Sequence, residues 1–186
     1  MDLALVTCLR LPEPDPDEAH LLAALAAAGI RASALAWDDP EADFAAAGLT
    51  VLRSCWNYPW HAEAFGTWLD ATSARTRILN PPEVVRWNLH KGYLLELGAA
   101  LPVVPTRLIR RGEGGSIEGI RADLGGGDLV LKPAISAGSW KTLRLRPGEG
   151  QPALEALSAE RDALVQPYLP AVEGSGERAI VCLDGQ

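Results

Sequence analysis

The first half of the chain alternates short apolar runs with stretches that place apolar residues at helical spacing. Four apolar runs each predict a buried strand: residues 3–9, 32–37, 49–52 and 78–80. Three intervening stretches predict helices: residues 21–28, 41–47 and 61–73. Strand–helix alternation of this kind favours an α/β fold with a doubly wound parallel sheet. In such sheets, ligands bind beyond the carboxyl ends of the strands.

The second half has shorter apolar runs separated by glycine and proline. Three stretches predict helices: residues 83–98, 116–124 and 152–159. Five short runs predict strands: residues 108–111, 128–133, 142–145, 163–166 and 178–183. The strand at 142–145 is expected to pair back on the strand at 128–133 as a hairpin.

Composition and charge exclude several classes of protein. The chain of 186 residues is 48% apolar, which excludes a disordered protein, and it has no apolar run long enough to span a membrane. Acidic residues outnumber basic ones by 24 to 17, which argues against a nucleic-acid-binding surface. The start of the chain lacks the basic segment of a signal peptide, so a cytoplasmic location is expected. Cys8, Cys55 and Cys182 are far apart and are interpreted as reduced apolar residues.

A polar and aromatic loop, RSCWNYPW at residues 53–60, directly follows the third predicted strand. Four of its residues are candidate ligands of a substrate at the sheet edge: Arg53, Trp56, Asn57 and Tyr58. The guanidinium of Arg53 could hold an amino-acid carboxylate with two hydrogen bonds. The structural alternative is that Trp56, Trp60 and Trp68 simply pack the edge of the sheet.

Lysine is scarce, and Lys132 stands at the end of a predicted strand, before the small-residue loop at 134–140. Backbone N–H groups of such a loop can surround phosphate oxygens, and a lysine ammonium adds a positive charge. The alternative is an ordinary strand end followed by a surface hairpin. The loop is not a Walker A motif, because no G-x-x-x-x-G-K-[ST] pattern occurs in the chain.

Three segments, taken together and in this order, resemble the ATP-grasp superfamily: NLHK at 88–91, VLKP at 130–133 with the loop at 136–139, and QPYLPA at 166–171. The last segment is similar to the hinge of bacterial glutathione synthetases, and the loop at 53–58, together with Asn80 and Pro81, resembles the D-cycloserine-type ligase branch. The resemblance implies a Rossmann-like pre-ATP-grasp domain, a connecting helix and linker, an α+β ATP-grasp lid, and a hinge that begins an incomplete catalytic subdomain. These parts correspond to residues 1–82, 83–104, 105–165 and 166–186.

The resemblance also implies roles for individual residues. Lys91 and Lys132 match two lysines that contact the nucleotide phosphates, and they are expected to converge on one cleft beside the hinge. The mobile loop over the triphosphate matches Ser136, Ala137, Gly138 and Ser139. The hinge that holds the adenine matches Gln166, Tyr168 and Leu169.

Three further positions match acidic or basic residues of the family. Either Glu173 or Glu177 matches the acid that binds the ribose, and the short spacing of this segment leaves both open. Arg178 matches the arginine that stabilises the acyl phosphate, although this branch of the family does not always have an arginine there.

The activity that the resemblance implies is ATP-dependent carboxylate–amine ligation on a small amino-acid-like substrate, with ATP and Mg²⁺ as cofactors. The metal ligands are expected beyond residue 186, so the chain would correspond to the amino-terminal two-thirds of a ligase, as a truncated product or a short variant. We expect it to turn over ATP poorly or not at all by itself. The alternative is a non-catalytic nucleotide- or amino-acid-binding relative that lacks the metal site. A homodimer is compatible with the resemblance, because dimers are common in the family.

Overall fold

The chain divides into two compact units in a computed structural model that describes residues 1–11, 13–176 and 180. Unit 1 comprises Met1–Tyr93 with Ile135–Gly138, and unit 2 comprises Leu94–Ala134 with Ser139–Gln186. The predicted strand at 178–183 falls, apart from Ile180, outside the described residues. Across the described ranges, no helix combines the length and the hydropathy that a membrane crossing requires.

Unit 1 contains a four-stranded parallel sheet. Its strands are β1 (Leu3–Thr7), β2 (Ala32–Ala36), β3 (Leu49–Leu52) and β4 (Ile78–Leu79), in the order β2-β1-β3-β4. Helix α1 (Glu18–Ala27) connects β1 to β2, and helix α2 (Ala62–Ser73) connects β3 to β4. The predicted doubly wound α/β architecture is confirmed. The strand order reverses between β1 and β3, and the crevice outside the carboxyl ends of these two strands is therefore the expected ligand site.

An aromatic cluster packs against this sheet. Trp37, Phe65 and Trp68 pack against one another, with ring centroids 5.1–6.2 Å apart, and Phe44 contacts Trp68 at 5.2 Å. Trp68 is thus partly buried and packs against the core, as the structural alternative expected. Trp56 is instead 49% exposed, so the tryptophans of this region do not form one packed edge.

Two predicted helices differ from the observed structure. The stretch at 41–47 forms only a single 3-10 turn, Phe44–Ala46, because the Asp39 and Asp43 carboxylates accept bonds from backbone N–H groups two residues on. The stretch at 83–98 forms two helices, α3 (Pro82–Leu89) and α4 (Tyr93–Leu97). His90 is extended between them, and its Nδ1 accepts the Gly92 N–H at 3.1 Å.

Unit 2 contains an antiparallel sheet. Its strands are β5 (Arg107–Ile109), β6 (Leu129–Pro133), β7 (Leu143–Leu145) and β8 (Ala163–Pro167), in the order β5-β8-β6-β7. The predicted β6–β7 hairpin is confirmed. One face of the sheet packs with α5 (Ile117–Asp123) and α6 (Gln151–Glu160) to form the core of the unit. The short helix α7 (Ala171–Ser175) follows β8.

Candidate functional site

A cavity of about 380 Å³ lies in unit 1, at the carboxyl end of β3. Its apolar wall includes Phe65 of α2 and Val84, Val85 and Leu89 of α3. Its polar lining includes Arg53, Tyr58, Asn80 and Asn88. An apolar wall with a few convergent polar groups suits a small ligand that has both an aliphatic part and hydrogen-bonding groups.

Arg53 connects this cavity to the loop after β1. Its Nη2 lies 3.3 Å from Asp15 Oδ1 and 3.1 Å from Asp17 Oδ2. The Ser54 hydroxyl and the Asp17 N–H donate to the Asp15 carboxylate. These two hydrogen bonds, with the Arg53 charge, hold the pKa of Asp15 below its ordinary value, so Asp15 is ionised at neutral pH. Arg53 is therefore fixed beside the cavity by a buried carboxylate.

The other three residues predicted to bind substrate are placed differently from one another. Trp56 and Tyr58 line the cavity, whereas Asn57 is not among its lining residues. The Asn57 side chain is buried, accepts from Trp37 Nε1 at 2.7 Å and donates to Asp38 Oδ2 at 2.7 Å. Its amide therefore joins the end of β2 to the loop after β3.

Cys55 lines the same cavity but is unreactive as a nucleophile. Burial raises the pKa of its thiol to about 12, with the neighbouring Cys8 acting in the same direction. Because the thiol rather than the thiolate is present at neutral pH, Cys55 contributes a small apolar wall and no nucleophile.

Lys91 lies in the break between α3 and α4, and its Nζ donates to the carbonyl oxygen of Ser136. Ser136 is buried, and it belongs with Ala137 and Gly138 to the segment of unit 1 that was predicted to cover phosphates. The backbone of this loop adopts left-handed φ angles of +55° at Gly138 and +57° at Ser139. Left-handed turns of this kind can present backbone N–H groups to an anion.

Lys132 and Gln166 lie on one face of the sheet in unit 2. Leu131 and Val165, their neighbours in sequence, belong to the core, and side chains alternate between the faces of a strand. Lys132 pairs with Leu164, so Gln166 lies two residues further along β8. Gln166 Nε2 donates to Thr106 Oγ1 at 2.8 Å, while its Oε1 accepts no hydrogen bond from any described residue. That oxygen can accept one from a ligand amine.

The segment after β8 is held by Arg144 of β7. The Arg144 guanidinium lies 3.7 Å from the centre of the Tyr168 ring, and it binds Asp128 at 2.8 Å and Glu173 at 2.6 Å. The Tyr168 hydroxyl donates to the same Glu173 oxygen at 2.5 Å. This bond and the Arg144 charge keep the pKa of Glu173 below its ordinary value. Glu173 is thus an ionised carboxylate whose second oxygen accepts no hydrogen bond from a described residue. Leu169, four residues earlier in the chain, is exposed.

Several predicted residues are not tested by this geometry. Glu177 and Arg178 lie outside the described residues, and the choice between Glu173 and Glu177 stays a prediction. Lys91 belongs to unit 1 and Lys132 to unit 2, and their convergence on one nucleotide also stays a prediction. In the part of the chain that the structure describes, no group of three His, Cys, Asp or Glu side chains could hold a metal ion.

Sequence reasoning assigned no role in these sites to four residues that the structure places there. Asn80 and Asn88 line the cavity, Asp15 holds Arg53, and Arg144 holds the segment after β8. Asn80 directly follows β4, so the expectation that ligands bind at strand ends could have identified it. The contacts of Asp15 and Arg144 depend on strand order and register, for which a single sequence gives no signal.

Comparison with known proteins gives relatives for nearly the whole length of the chain. Residues 3–80 match the family model for the N-terminal domain of D-cycloserine synthetase DcsG. The cycloserine biosynthesis protein DcsG of Streptomyces lavendulae is 31% identical over 193 residues. That alignment covers 98% of this chain, which spans 64% of the length of the relative.

Solved structures agree with this match. The crystal structure of D-cycloserine synthetase DcsG is similar with a TM-score of 0.85 and 29% identity, over 95% of this chain and 62% of the other. An ATP-grasp RimK domain protein from Sphaerobacter thermophilus has a TM-score of 0.63 and 22% identity, over 91% and 64% of the two chains. The first similarity is one of sequence and fold, and the second is one of fold.

Proposed function

We propose that the chain, whose residues 3–80 match the family model for the N-terminal domain of D-cycloserine synthetase, acts in an ATP-grasp ligase. The proposed activity is ATP-dependent carboxylate–amine ligation. ATP phosphorylates a carboxylate, an amine attacks the acyl phosphate, and a C–N bond forms as phosphate leaves. Because such catalysis consists mainly of positioning and charge neutralisation, the residues that matter are those that hold the two substrates.

The cavity of unit 1 supports the proposal that the substrate is amino-acid-like. Arg53 is the only charged residue that lines it among those described, and a guanidinium suits a carboxylate. Asn80 and Asn88 offer amide donors and acceptors to the remaining polar groups of a small ligand. A volume of about 380 Å³ suits a small ligand.

One observation carries the nucleotide part of the proposal: Lys132 and Gln166 share a sheet face and lie on adjacent strands. A lysine ammonium suits phosphate oxygens, and the Gln166 carbonyl oxygen suits an exocyclic amine such as that of adenine. In this assignment Glu173, held by Arg144 and Tyr168, accepts the ribose hydroxyls.

The proposal includes Mg²⁺ and a cytoplasmic location, where ATP is available. A magnesium ion bound to ATP would neutralise phosphate charge during transfer. We assign no metal ligand among the described residues, and we derive no step through the ion.

Thermal unfolding with and without Mg-ATP tests the nucleotide assignment. A ligand at about 100 times its Kd stabilises the folded state by roughly 2.7 kcal/mol. We expect such a shift for the wild-type chain and a much smaller one for Lys132→Ala, which removes the ammonium group proposed to bind the phosphates.

Lys141→Ala is the matched control, because Lys141 lies in the same unit and pairs with Glu160 at 3.0 Å on the surface. Its Mg-ATP shift is expected to equal that of the wild type. Absence of a shift in the wild type, or equal shifts in wild type and Lys132→Ala, would contradict the proposed function.

A further inference from the structure

The guanidinium of Arg53 binds two carboxylates through a single nitrogen. Both Asp15 and Asp17 accept from Nη2, whereas Nε and Nη1 donate no hydrogen bond within the described part of the chain. Nη2 carries two hydrogens, so both are committed to these acids. Arg53 also lines the cavity, and among the described residues it is the only charged one that does so.

The two carboxylates are held very differently. The Asp15 side chain is only 5% exposed and accepts further bonds from Ser54 and from the Asp17 N–H. The Asp17 side chain is 73% exposed, and its carboxylate bonds no other described residue. Although Asp17 precedes α1, its side chain makes no capping bond to the helix. Asp15 is thus a fixed partner of Arg53. The Asp17 carboxylate can move away from Arg53 without breaking a hydrogen bond to any other described residue.

Guanidinium geometry limits how a ligand carboxylate can bind. A carboxylate that uses both oxygens spans either Nη1 and Nη2 or Nε and Nη2. Each of these edges includes Nη2, so a ligand bound in this way must replace Asp15 or Asp17. Because only the Asp17 side chain is solvent-exposed and bonds no other described residue, it is the one that leaves.

We propose that Asp17 is a replaceable ligand of Arg53, and that a carboxylate-bearing ligand of the cavity takes its place while Asp15 keeps Arg53 in position. Asp17 is therefore a specificity-determining residue, since a neutral amide has only one acceptor oxygen and no charge with which to replace a carboxylate on the guanidinium. This inference rests on the proposed function of the cavity and adds the charge class and binding mode of its ligand.

Ligand-observed NMR titration provides the test, with both enantiomers of norvaline and of norvalinamide as probes. Asp17→Asn removes the competing carboxylate, so norvaline binding is expected to tighten about two- to fivefold, the range for one exposed ion pair. Norvalinamide binding is expected not to change. Glu18→Gln is the matched control, because it removes a neighbouring charge in the first turn of α1 without touching Arg53.

The outcomes separate this inference from the proposed function. Arg53→Lys keeps the positive charge but cannot form the bidentate pair with a carboxylate, so the affinity of this variant for norvaline should fall at least several-fold. If Arg53→Lys weakens norvaline binding while Asp17→Asn and Glu18→Gln both leave it unchanged, the inference is overturned and the function of the cavity stands. If norvaline binds neither the wild type nor Asp17→Asn, the proposed substrate site is itself overturned.

Discussion

Asn57 joins three parts of unit 1 through one buried amide. It accepts from Trp37 Nε1 and donates to Asp38, whose other carboxylate oxygen accepts the Leu9 N–H at 2.8 Å. The loops after β1, β2 and β3 are therefore tied together beside the cavity. Burial of such a network stabilises the protein only while every member has its partner.

We predict that Asn57→Ala lowers the free energy of unfolding by about 1–3 kcal/mol, because the buried Trp37 N–H and Asp38 oxygen lose their partner. Chemical denaturation measures this loss. Asn88→Ala, at an exposed position of α3, is the control and should change the stability by less than about 0.5 kcal/mol. A stable Asn57→Ala variant with impaired ligand binding would instead assign Asn57 to the substrate site.

At the scale of elements, the antiparallel sheet of unit 2 orders the segment that follows it. Arg144 of β7 contacts Asp128, which precedes β6, together with Tyr168 and Glu173 around the start of α7. The Tyr168 N–H also donates to the Asp128 carbonyl at 2.8 Å. A five-residue helix such as α7 is too short to be stable alone, so these contacts hold it in place.

Arg144→Ala is therefore predicted to weaken ADP binding about two- to fivefold, the effect of one exposed ion pair, because Glu173 loses the cation that positions it. Fluorescence or calorimetric titration measures the change. Arg146→Ala removes an exposed arginine two residues away whose side chain makes no hydrogen bond or ion pair with a described residue, and it should bind ADP normally. Equal affinities for the two variants would show that Arg144 does not position the nucleotide site.

The sequence predicts elements well where a local pattern specifies them. β3 and the β6–β7 hairpin follow from apolar runs and turn residues, and α5 follows from Ser116, whose hydroxyl accepts the Gly119 N–H as a cap. The break between α3 and α4 was missed because the apolar spacing continues across it. It depends instead on Gly92 and on the bond from its N–H to the His90 ring.

The site is less predictable than the elements, for a physical reason. Arg53 could be selected from the sequence because it directly follows a strand, yet its fixed partner Asp15 is 38 residues away. The contact exists because β1 and β3 are adjacent and parallel, which brings the loops that follow them together. Strand order of this kind arises from packing of the whole sheet, so a local pattern does not contain it.

At the scale of the whole molecule, each unit contributes a different set of residues to the proposed reaction. Unit 1 has the cavity with Arg53 and the Lys91–Ser136 contact, and unit 2 has the face with Lys132 and Gln166. We propose that both units serve one nucleotide-dependent reaction. ATP should therefore affect the backbone at the segments predicted to bind it, in both units.

Amide hydrogen exchange with and without saturating ATP tests this claim most directly. We predict slower exchange in peptides that cover residues 136–139 and 166–169 when ATP is bound, with α1 unchanged as an internal control. Two results would contradict the account: unchanged exchange in both segments at saturating ATP, or protection confined to α1 and the parallel sheet of unit 1.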